Sequence, residues 1–245
     1  MEIKNKVVLI TGASKGIGSS TAIILSKEGA NIIINYKSDD SLAKKVLEEC
    51  NKYSDKNMII KADITNEIEV KEMFDKINKE YGKLDVLVNN AGIFDGSDST
   101  TNLEAFENIF KINLLAQVRA TKYALKLMKT GKIINVSSIA GRMGRGSSHS
   151  CAYSAMKAAL DSYTTTLAKD LAPKILVNSV APGKTLTPMW GNLDKNKEKE
   201  LGETQLINRF IHPNEIADGI LFLIKNDAIC GEILTIDGGM GLRKP

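Results

Sequence analysis

The sequence predicts an open α/β fold, with a doubly wound, seven-stranded parallel sheet and helices on both of its faces. Three observations predict this fold. Short runs of Val, Ile and Leu recur along the chain without alternating polar residues, which is typical of strands buried on both faces. Amphipathic stretches of helix length separate these runs. Regular alternation of strand and helix indicates parallel pairing through right-handed crossovers.

The elements follow one another along the whole chain. Apolar runs predict seven strands, at residues 7–10, 32–34, 58–60, 86–88, 133–136, 176–180 and 233–236. The stretches between them predict six helices, at residues 17–28, 40–52, 67–81, 103–128, 152–171 and 214–224. The polar stretch 185–210 is long enough to form a substrate lid. Because no linker, repeat or low-complexity tract interrupts residues 1–245, we expect a single domain.

Composition restricts the function. The 245 residues are 43% hydrophobic and carry a net charge of +4 without a long block of one sign, so neither a nucleic-acid partner nor a membrane-binding helix is expected. Cys50, Cys151 and Cys230 are odd in number and far apart, which indicates a reducing, cytoplasmic location. No metal site is expected, because His149 and His212 lack partner ligands and are interpreted as loop and helix-start residues.

A glycine-rich segment, TGASKGIG at residues 11–18, follows the first predicted strand and opens the first helix. Such a turn lets backbone N–H groups and a helix N-terminus approach a pyrophosphate. Three residues separate Gly12 from Gly16, whereas the usual dinucleotide fingerprint has one. Glycines also end strands for steric reasons alone, but the flanking strand and helix favour a nucleotide site.

Tyr153 and Lys157 lie four residues apart on a predicted helix and therefore share one of its faces. On an exposed helix, such a pair is commonly a solvated contact with no chemical role. In a partly desolvated site, an ammonium group at about 4 Å favours a phenolate by several kcal/mol. It would then lower the pKa of the phenol from about 10 and make it a usable acid or base.

Several motifs together resemble the short-chain dehydrogenase/reductase family over nearly the whole chain. In order, they are TGASKGIG, Asn89-Asn90-Ala91-Gly92, Ser138, Tyr153-x-x-x-Lys157, Pro182-Gly183 and the closing Asp237-Gly238-Gly239. Each follows or lies on the predicted element that the family uses for it. The resemblance implies a Rossmann fold and an oxidoreductase that uses a nicotinamide dinucleotide.

The resemblance also implies residue roles. Tyr153 would be the general acid and base, and Lys157 would in addition bind the nicotinamide ribose. Ser138, rather than Ser137, would donate to the substrate carbonyl oxygen, and the main chain of Asn113 would hold a water in a proton relay. From the residues alone, the two serines can equally cap or turn the chain, and Asn113 can be a buried, locally bonded asparagine.

NADP(H) is the expected cofactor. In the family, an acid at the end of the second strand binds the ribose of NAD, but here Tyr36 stands at that place, and Lys15 and Lys37 match basic positions associated with NADP. Asp39 and Asp40 oppose this interpretation, because a bent loop would bring either to the ribose. The implied cofactor-binding residues are Gly12, Ser14, Lys15, Gly16, Ile17, Gly18, Asn35, Tyr36, Lys37, Asp63, Ile64, Asn90, Ala91, Gly92, Tyr153, Lys157, Pro182, Gly183, Thr185 and Thr187.

The chain is most similar to the 3-oxoacyl-(acyl-carrier protein) reductase branch. This implies NADPH-dependent reduction of a ketone to a secondary alcohol, with a carrier-bound 3-oxoacyl thioester as the leading substrate, in a homotetramer formed through helices 103–128 and 152–171. Those reductases hold the acidic carrier protein with arginines, whereas shortened loops leave Lys129, Lys132 and Lys174 here.

The substrate and the class of function stay open. The segment between Ser138 and Tyr153 borders the substrate mouth, where Arg142 or Arg145 is a candidate contact for an anionic group. A reductase or dehydrogenase of another small alcohol or ketone, such as a sugar, a steroid-like ring or a specialised metabolite, is the first alternative. A non-catalytic dinucleotide-binding regulator is the second. In the lid, Met189 and Trp190 are interpreted as packing residues or substrate contacts.

Overall fold

The computed structural model describes residues 1–142 and 146–242. Within them, seven parallel strands form a sheet in the order β3-β2-β1-β4-β5-β6-β7. The strands are β1 (Val7–Ile10), β2 (Asn31–Tyr36), β3 (Met58–Lys61), β4 (Val86–Asn89), β5 (Gly131–Val136), β6 (Ile175–Pro182) and β7 (Ile233–Ile236). The strand order changes direction between β1 and β4. In open α/β sheets, ligands bind outside the carboxyl ends of the strands at such a switch point.

Eight α-helices connect or flank these strands in the part of the chain that the structure describes. They are α1 (Gly16–Lys27), α2 (Asp40–Cys50), α3 (Glu67–Tyr81), α4 (Leu103–Phe110), α5 (Ala116–Ala124), α6 (Cys151–Leu171), α7 (Lys195–Gly202) and α8 (Pro213–Lys225). None of the described helices is both long and apolar enough to cross a membrane.

Side chains of the central strands alternate between two apolar layers, one on each face of the sheet. On one face, Ile10 belongs to a buried cluster with Leu25 of α1 and Ile220 of α8. On the other face, Leu9 belongs to a cluster with Phe74 of α3. The predicted seven-stranded, doubly wound sheet with helices on both faces is therefore confirmed. Because both faces are covered, the strand ends are the places where this sheet can expose functional groups.

The long helix predicted at residues 103–128 is interrupted. A π-helical turn, Lys111–Leu115, separates α4 from α5, and α5 ends at Ala124. At the centre of this turn, Asn113 is buried, and its side chain accepts from Ile93 N and donates to Ile93 O, both at 2.8 Å. The 3.6-residue pattern does not reveal the interruption, since these bonds reach a loop outside the helix. π-Helical turns of this kind are frequent at functional sites.

The predicted lid, residues 185–210, contains a helix that its polar composition concealed. Asp194 caps α7 by accepting hydrogen bonds from Asn196 N and Lys197 N, both at 2.9 Å, in the manner of a favoured N-cap residue. A short 3₁₀ turn, Pro188–Trp190, precedes it. This segment is therefore partly helical, not a structureless loop.

Both ends of the lid are joined by Gln205, whose side chain is buried. Its amide accepts from Lys184 N at 2.9 Å and donates to Lys184 O at 3.1 Å and Arg209 O at 2.7 Å. Trp190 packs edge-on against Phe210, with ring centroids 5.4 Å apart, and donates to the main chain within the lid. Trp190 thus packs the lid, as one of its two interpretations predicted.

Candidate active site

The glycine-rich turn between β1 and α1 needs its glycines for two reasons. Gly12 and Gly16 have φ angles of +62° and +61°, a region that residues with a Cβ rarely adopt. A Cβ on Gly12 would lie 2.9 Å from Cα of Ala91, and one on Gly18 would lie 2.5 Å from Nδ2 of Asn90. The glycine pattern thus lets the turn contact the segment after β4 without side chains between them.

Polar side chains stabilise the glycine-rich turn through hydrogen bonds to main-chain atoms. The Asn90 amide donates to Thr11 O at 2.8 Å and to Gly12 O at 3.1 Å, and the Thr11 hydroxyl accepts from Asn90 N and Ala91 N. Asn35 accepts from Gly12 N at 3.3 Å and donates to Ile60 O of β3 and to Ala62 O just after it. The side chains of Asn35 and Asn90 therefore support the turn from within the protein.

Four elements bring the predicted catalytic residues together. Lys157 of α6 exposes 3% of its surface, and its Nζ lies 5.6 Å from the ring centroid of Tyr153. The Ser138 hydroxyl, after β5, lies beside the Tyr153 hydroxyl. A Cβ on Gly92 would be 3.2 Å from Oδ1 of Asn113 and 3.6 Å from Nζ of Lys157. The close approach at Gly92 thus joins the π-helical turn, the segment after β4 and the catalytic face of α6.

The two serines after β5, Ser137 and Ser138, can be distinguished by their hydrogen-bond partners. Ser138 lies beside Tyr153 and accepts from Ala140 N at 3.1 Å. Ser137 is turned the other way and donates to Lys157 O at 3.2 Å. Of the two, Ser138 is the serine placed to contact a group held at Tyr153, as the resemblance implied.

The expected lowering of the tyrosine pKa is not found. Burial raises the pKa of Tyr153 above its ordinary value of 10.0, although the Ser138 hydroxyl opposes the change. Burial also lowers the pKa of Lys157 to about 8, against the opposing effect of Asp161. The physical reason is that desolvation disfavours both charged forms, and Lys157 Nζ donates to Val136 O at 2.8 Å. The free protein therefore keeps a protonated phenol beside a readily titrated lysine.

Two residues after β4 contact Tyr153, although the sequence did not single them out. Asp98 exposes 2% of its surface, and its two carboxylate oxygens accept from Ala152 N and Tyr153 N, both at 3.0 Å. The ring of Phe94 meets that of Tyr153 edge-on, with centroids 5.6 Å apart. In the sequence, Asp98 is one of several polar residues in a predicted loop, so no local pattern distinguished it.

At the carboxyl ends of β2 and β3, the charged side chains pair with one another. Lys37 Nζ lies 2.8 Å from Oδ2 of Asp63, and Lys61 Nζ lies 3.0 Å from Oδ1 of Asp40. Asp39 caps α2 by accepting from Leu42 N at 3.0 Å. The two acids that opposed the NADP interpretation, Asp39 and Asp40, are thus both engaged within the protein.

Three of the predicted cofactor contacts near this end, Lys15, Tyr36 and Ile64, differ in how far their side chains are buried. Lys15 is exposed at the start of α1, whereas Tyr36 is buried next to Asp40. The side chain of Ile64 lies in the hydrophobic core, and its carbonyl accepts from Arg119. Its contact with adenine stays a prediction.

The chain after β6 approaches the glycine-rich turn from the side opposite to β2. Gly183 N donates to Ile236 O at 2.9 Å, so this segment continues from β6 beside β7. A Cβ on Gly16 would be 3.4 Å from the side chain of Thr187. The base of the lid therefore lies directly against the turn. Thr187 is one of the predicted cofactor contacts, and four others lie in the same two segments of the chain: Ser14, Ile17, Pro182 and Thr185.

The structure bears on two predictions about basic residues: the lysines expected to contact a carrier protein, and the arginines expected at the substrate mouth. Lys132 exposes 2% of its surface, because its Nζ bonds Asn226 O at 2.9 Å and Asp227 Oδ1 at 2.8 Å. It was therefore wrong to count Lys132 among the charges available to a carrier protein. Arg142 is placed near Asp161, with 3.9 Å between Nη1 and Oδ2; Arg145 lies outside the described residues.

The groove fits a dinucleotide. It runs along the glycine-rich turn, where Gly12 and Gly18 allow close packing against the segment after β4. Lys37 lies at one end, after β2, and the Tyr153–Lys157 pair lies at the other. An extended anionic ligand with a pyrophosphate centre matches such an arrangement. Among residues 1–142 and 146–242, no group of three or more His, Cys, Asp and Glu side chains is arranged to hold a metal ion.

Comparisons with known proteins agree with this geometry. The chain is 37% identical over 243 residues to a 3-oxoacyl-(acyl-carrier protein) reductase of Synechocystis, covering 96% of each chain. It is 34% identical to a hydroxynaphthalene reductase-like protein of Metarhizium acridum, covering 97% of this chain and 95% of the relative.

A structural comparison and a family model extend this result. Aldohexose dehydrogenase of Thermoplasma acidophilum superposes with a TM-score of 0.87 at 30% identity, covering 99% of this chain and 96% of the other. The model of the short chain dehydrogenase family matches residues 6–198. Its members are oxidoreductases, and the similarity implies a nicotinamide dinucleotide cofactor. The chain belongs to the short-chain dehydrogenase/reductase family.

Proposed function

We propose that this protein reduces a ketone to a secondary alcohol with NADPH. The observation that carries the proposal is the grouping of Ser138, Tyr153 and the buried Lys157 beside Gly92. A proton donor, a hydrogen-bond donor and a cation meet there. This is what reduction of a carbonyl needs, because negative charge develops on its oxygen.

Each side chain has a definite task in this proposal. The bound nicotinamide supplies the hydride. The Tyr153 hydroxyl donates its proton to the carbonyl oxygen, and its raised pKa keeps it protonated near neutral pH. The Ser138 hydroxyl donates a hydrogen bond to the same oxygen. The Lys157 ammonium then stabilises the phenolate that Tyr153 becomes and binds the ribose, while the main chain at Asn113 holds the water that returns a proton.

The preference for NADPH rests on charge at the adenosine end of the groove. Lys37 follows the end of β2, and Lys15 is exposed in the glycine-rich turn. The uncharged Tyr36 occupies the place of the family's ribose-binding acid. A 2′-phosphate would attract Lys37 away from Asp63, since a phosphate carries more charge than one carboxylate. This exchange would favour NADPH over NADH.

A 3-oxoacyl thioester on acyl-carrier protein is the leading substrate. The reductase of Synechocystis named above supports it, as do the positive charges of Lys129 and Lys174, which are exposed just before the first residues of β5 and β6. A ketone on a ring is the second candidate, because the half-exposed Phe94 meets Tyr153 edge-on and offers an apolar contact. The hydroxynaphthalene reductase-like relative supports that alternative.

A homotetramer in the cytoplasm completes the proposal. Leu103, Phe110 and Leu115 are exposed apolar side chains along α4 and the π-helical turn, a surface that pairing with another copy would cover. All three cysteines are free, in keeping with a reducing compartment. Sedimentation equilibrium tests the assembly, and a mass of one chain would contradict it.

The deciding experiment compares kcat/KM for a carrier-bound 3-oxoacyl thioester, a bicyclic aromatic ketone and an aldohexose, each with NADPH and with NADH. We expect the thioester with NADPH to be the best pair by at least about tenfold. A higher value for the ring ketone would select the second candidate. Cofactor binding without turnover of any carbonyl would instead indicate the non-catalytic regulator.

A further inference from the structure

Asp161 of α6 carries a buried carboxylate that the proposed reaction does not use. The residue exposes 8% of its surface, and neither of its carboxylate oxygens accepts a hydrogen bond from any described residue. The neighbouring Ser137 hydroxyl donates to Lys157 O instead, at 3.2 Å. The guanidinium of Arg142 approaches only to 3.9 Å. A carboxylate buried in this way costs free energy, so fold stability does not explain its presence.

Its position on the helix suggests what the carboxylate acts on. Tyr153, Lys157 and Asp161 follow one another at intervals of four residues and therefore share one face of α6. The negative charge of Asp161 raises the pKa of Lys157 and opposes the lowering by burial. Burial raises the pKa of Asp161, and the neighbouring Ser137 hydroxyl and the charges of Arg142 and Lys157 oppose that rise.

The other elements packed around Lys157 contribute no opposing charge in the described part of the chain. β5 presents the Val136 carbonyl at 2.8 Å, the π-helical turn presents the Asn113 amide, and the segment after β4 presents Gly92. On its own helix, the ionisable neighbours are Tyr153 and Asp161. The loop after β5 adds Arg142, which acts on Asp161.

We propose that Asp161 is a positioning residue whose negative charge keeps the Lys157 ammonium protonated and therefore able to stabilise the Tyr153 phenolate. This inference rests on the proposed reductase function. Its physical basis is that two opposite charges on one helix face, both removed from water, interact more strongly than an exposed pair. The buried carboxylate thus destabilises the fold, but it supplies a negative charge close to Lys157.

The test uses Asp161→Asn, which removes the charge while keeping the shape, with Asp170→Asn, an exposed change on the same helix, as the matched control. We expect kcat for ketone reduction by Asp161→Asn to fall about fivefold to tenfold at pH 8.5 and less than about twofold at pH 6, because the lysine loses its proton earlier. Asp170→Asn should follow the wild type at both pH values. An equal loss at both pH values would overturn the proposal.

Stability gives a second and opposite readout. Burial raises the pKa of Asp161 in spite of the opposing charges of Arg142 and Lys157, so the ionised carboxylate destabilises the fold. The Tm of Asp161→Asn at pH 7 should therefore equal or exceed that of the wild type. A lower Tm with an unmoved pH profile would show a merely structural residue and overturn the proposal. If Asp161→Asn does not fold, Asp161→Ser carries the same expectations for both measurements.

A third measurement does not depend on turnover. The NMR titration of ¹³Cε-labelled lysine reports the protonation of Lys157 in the free protein, with the signal assigned through Lys157→Arg. We expect the Lys157 signal to titrate at lower pH in Asp161→Asn than in the wild type. An unchanged titration would refute the role of Asp161. Failure of the wild type to reduce any ketone would refute only the proposed function.

Discussion

The charged side chains at the two ends of the groove differ in their exposure to solvent. At the catalytic end, Lys157 and Asp161 are buried, and their charges act on each other with little water between them. At the adenosine end, Lys37 exposes 67% of its side chain and forms an ion pair with Asp63, next to the exposed Lys61–Asp40 pair. One end keeps charges that destabilise the fold, and the other keeps charges that solvent screens.

This difference teaches where large effects are to be found. Buried charges interact strongly and titrate far from their ordinary pKa, so changing them should lower kcat by factors of about five to a hundred. Exposed ion pairs contribute about 0–1 kcal/mol, so changing them should alter selectivity by small factors. The predictions below would break this comparison if the order of their effects were reversed.

The largest effect is expected from Tyr153→Phe, which removes the proton donor and little else. We expect kcat for ketone reduction to fall by about a thousandfold or more, while NADPH binding, measured by fluorescence titration, changes less than about threefold. The ring of Phe94 retains its edge-on partner in this variant, so the fold should be intact. Turnover close to that of the wild type would show that another group delivers the proton.

Lys157→Met should abolish most activity and stabilise the fold. The pKa of Lys157 is about 8 in the folded protein against 10.5 ordinarily, so the unfolded chain binds the extra proton between these values. Stability therefore rises with pH across this window, and below pH 8 the buried ammonium destabilises the fold. We expect kcat to fall about a hundredfold and Tm at pH 7 to rise by roughly 2–4 °C, about 1 kcal/mol, after the loss of the Val136 hydrogen bond.

The pH dependence of Tm checks the sign of this prediction. Calorimetry at pH 7 and pH 10 should show a smaller gain for Lys157→Met at the higher pH, because the wild-type lysine is already neutral there. A loss of Tm of equal size at both pH values would mean that the lysine stabilises the fold as a hydrogen-bond donor only.

An intermediate effect is expected from Asp98→Ala. The variant leaves the N–H groups of Ala152 and Tyr153 without their acceptor, which should destabilise the protein by about 2–4 kcal/mol. We expect kcat to fall about tenfold, because Tyr153 is held less firmly. Asp95→Ala in the same loop loses exposed bonds to Ser97 and Asn108 and should cost less than about 1 kcal/mol. Equal thermal shifts in the two variants would contradict the role of Asp98.

The smallest effect is expected from Lys37→Ala at the adenosine end. We expect kcat/KM with NADPH to fall about fivefold to tenfold and kcat/KM with NADH to change less than about twofold. Lys61→Ala, a matched change in the neighbouring exposed pair, should leave both within about twofold. Equal losses with the two cofactors in Lys37→Ala would refute recognition of the 2′-phosphate.

Local sequence determined the fold of this protein and much of the candidate site. Apolar runs predict all seven strands because most positions of a strand covered on both faces are apolar. The buried polar side chains within strands, such as Asn135 and Asn178, form hydrogen bonds inside the protein. The Tyr153–Lys157 spacing places both side chains on one helix face by the geometry of the helix alone. The glycines at 12 and 18 are readable as a turn that needs close backbone approach.

Only the tertiary structure decided which separate segments meet. Asp98 reaches the main chain of Tyr153 across 55 positions of sequence, and Lys132 is buried by residues from the loop after α8. Lys37 is paired with Asp63, and Asn113 bonds to Ile93 across a π-helical turn. The strand order and the loop paths set these contacts, and the burial of whole segments set the shifted pKa values of Tyr153 and Lys157. Neither the long-range contacts nor the shifted pKa values can be predicted from one stretch of sequence. Desolvation and long-range hydrogen bonding depend on which distant segments pack nearby.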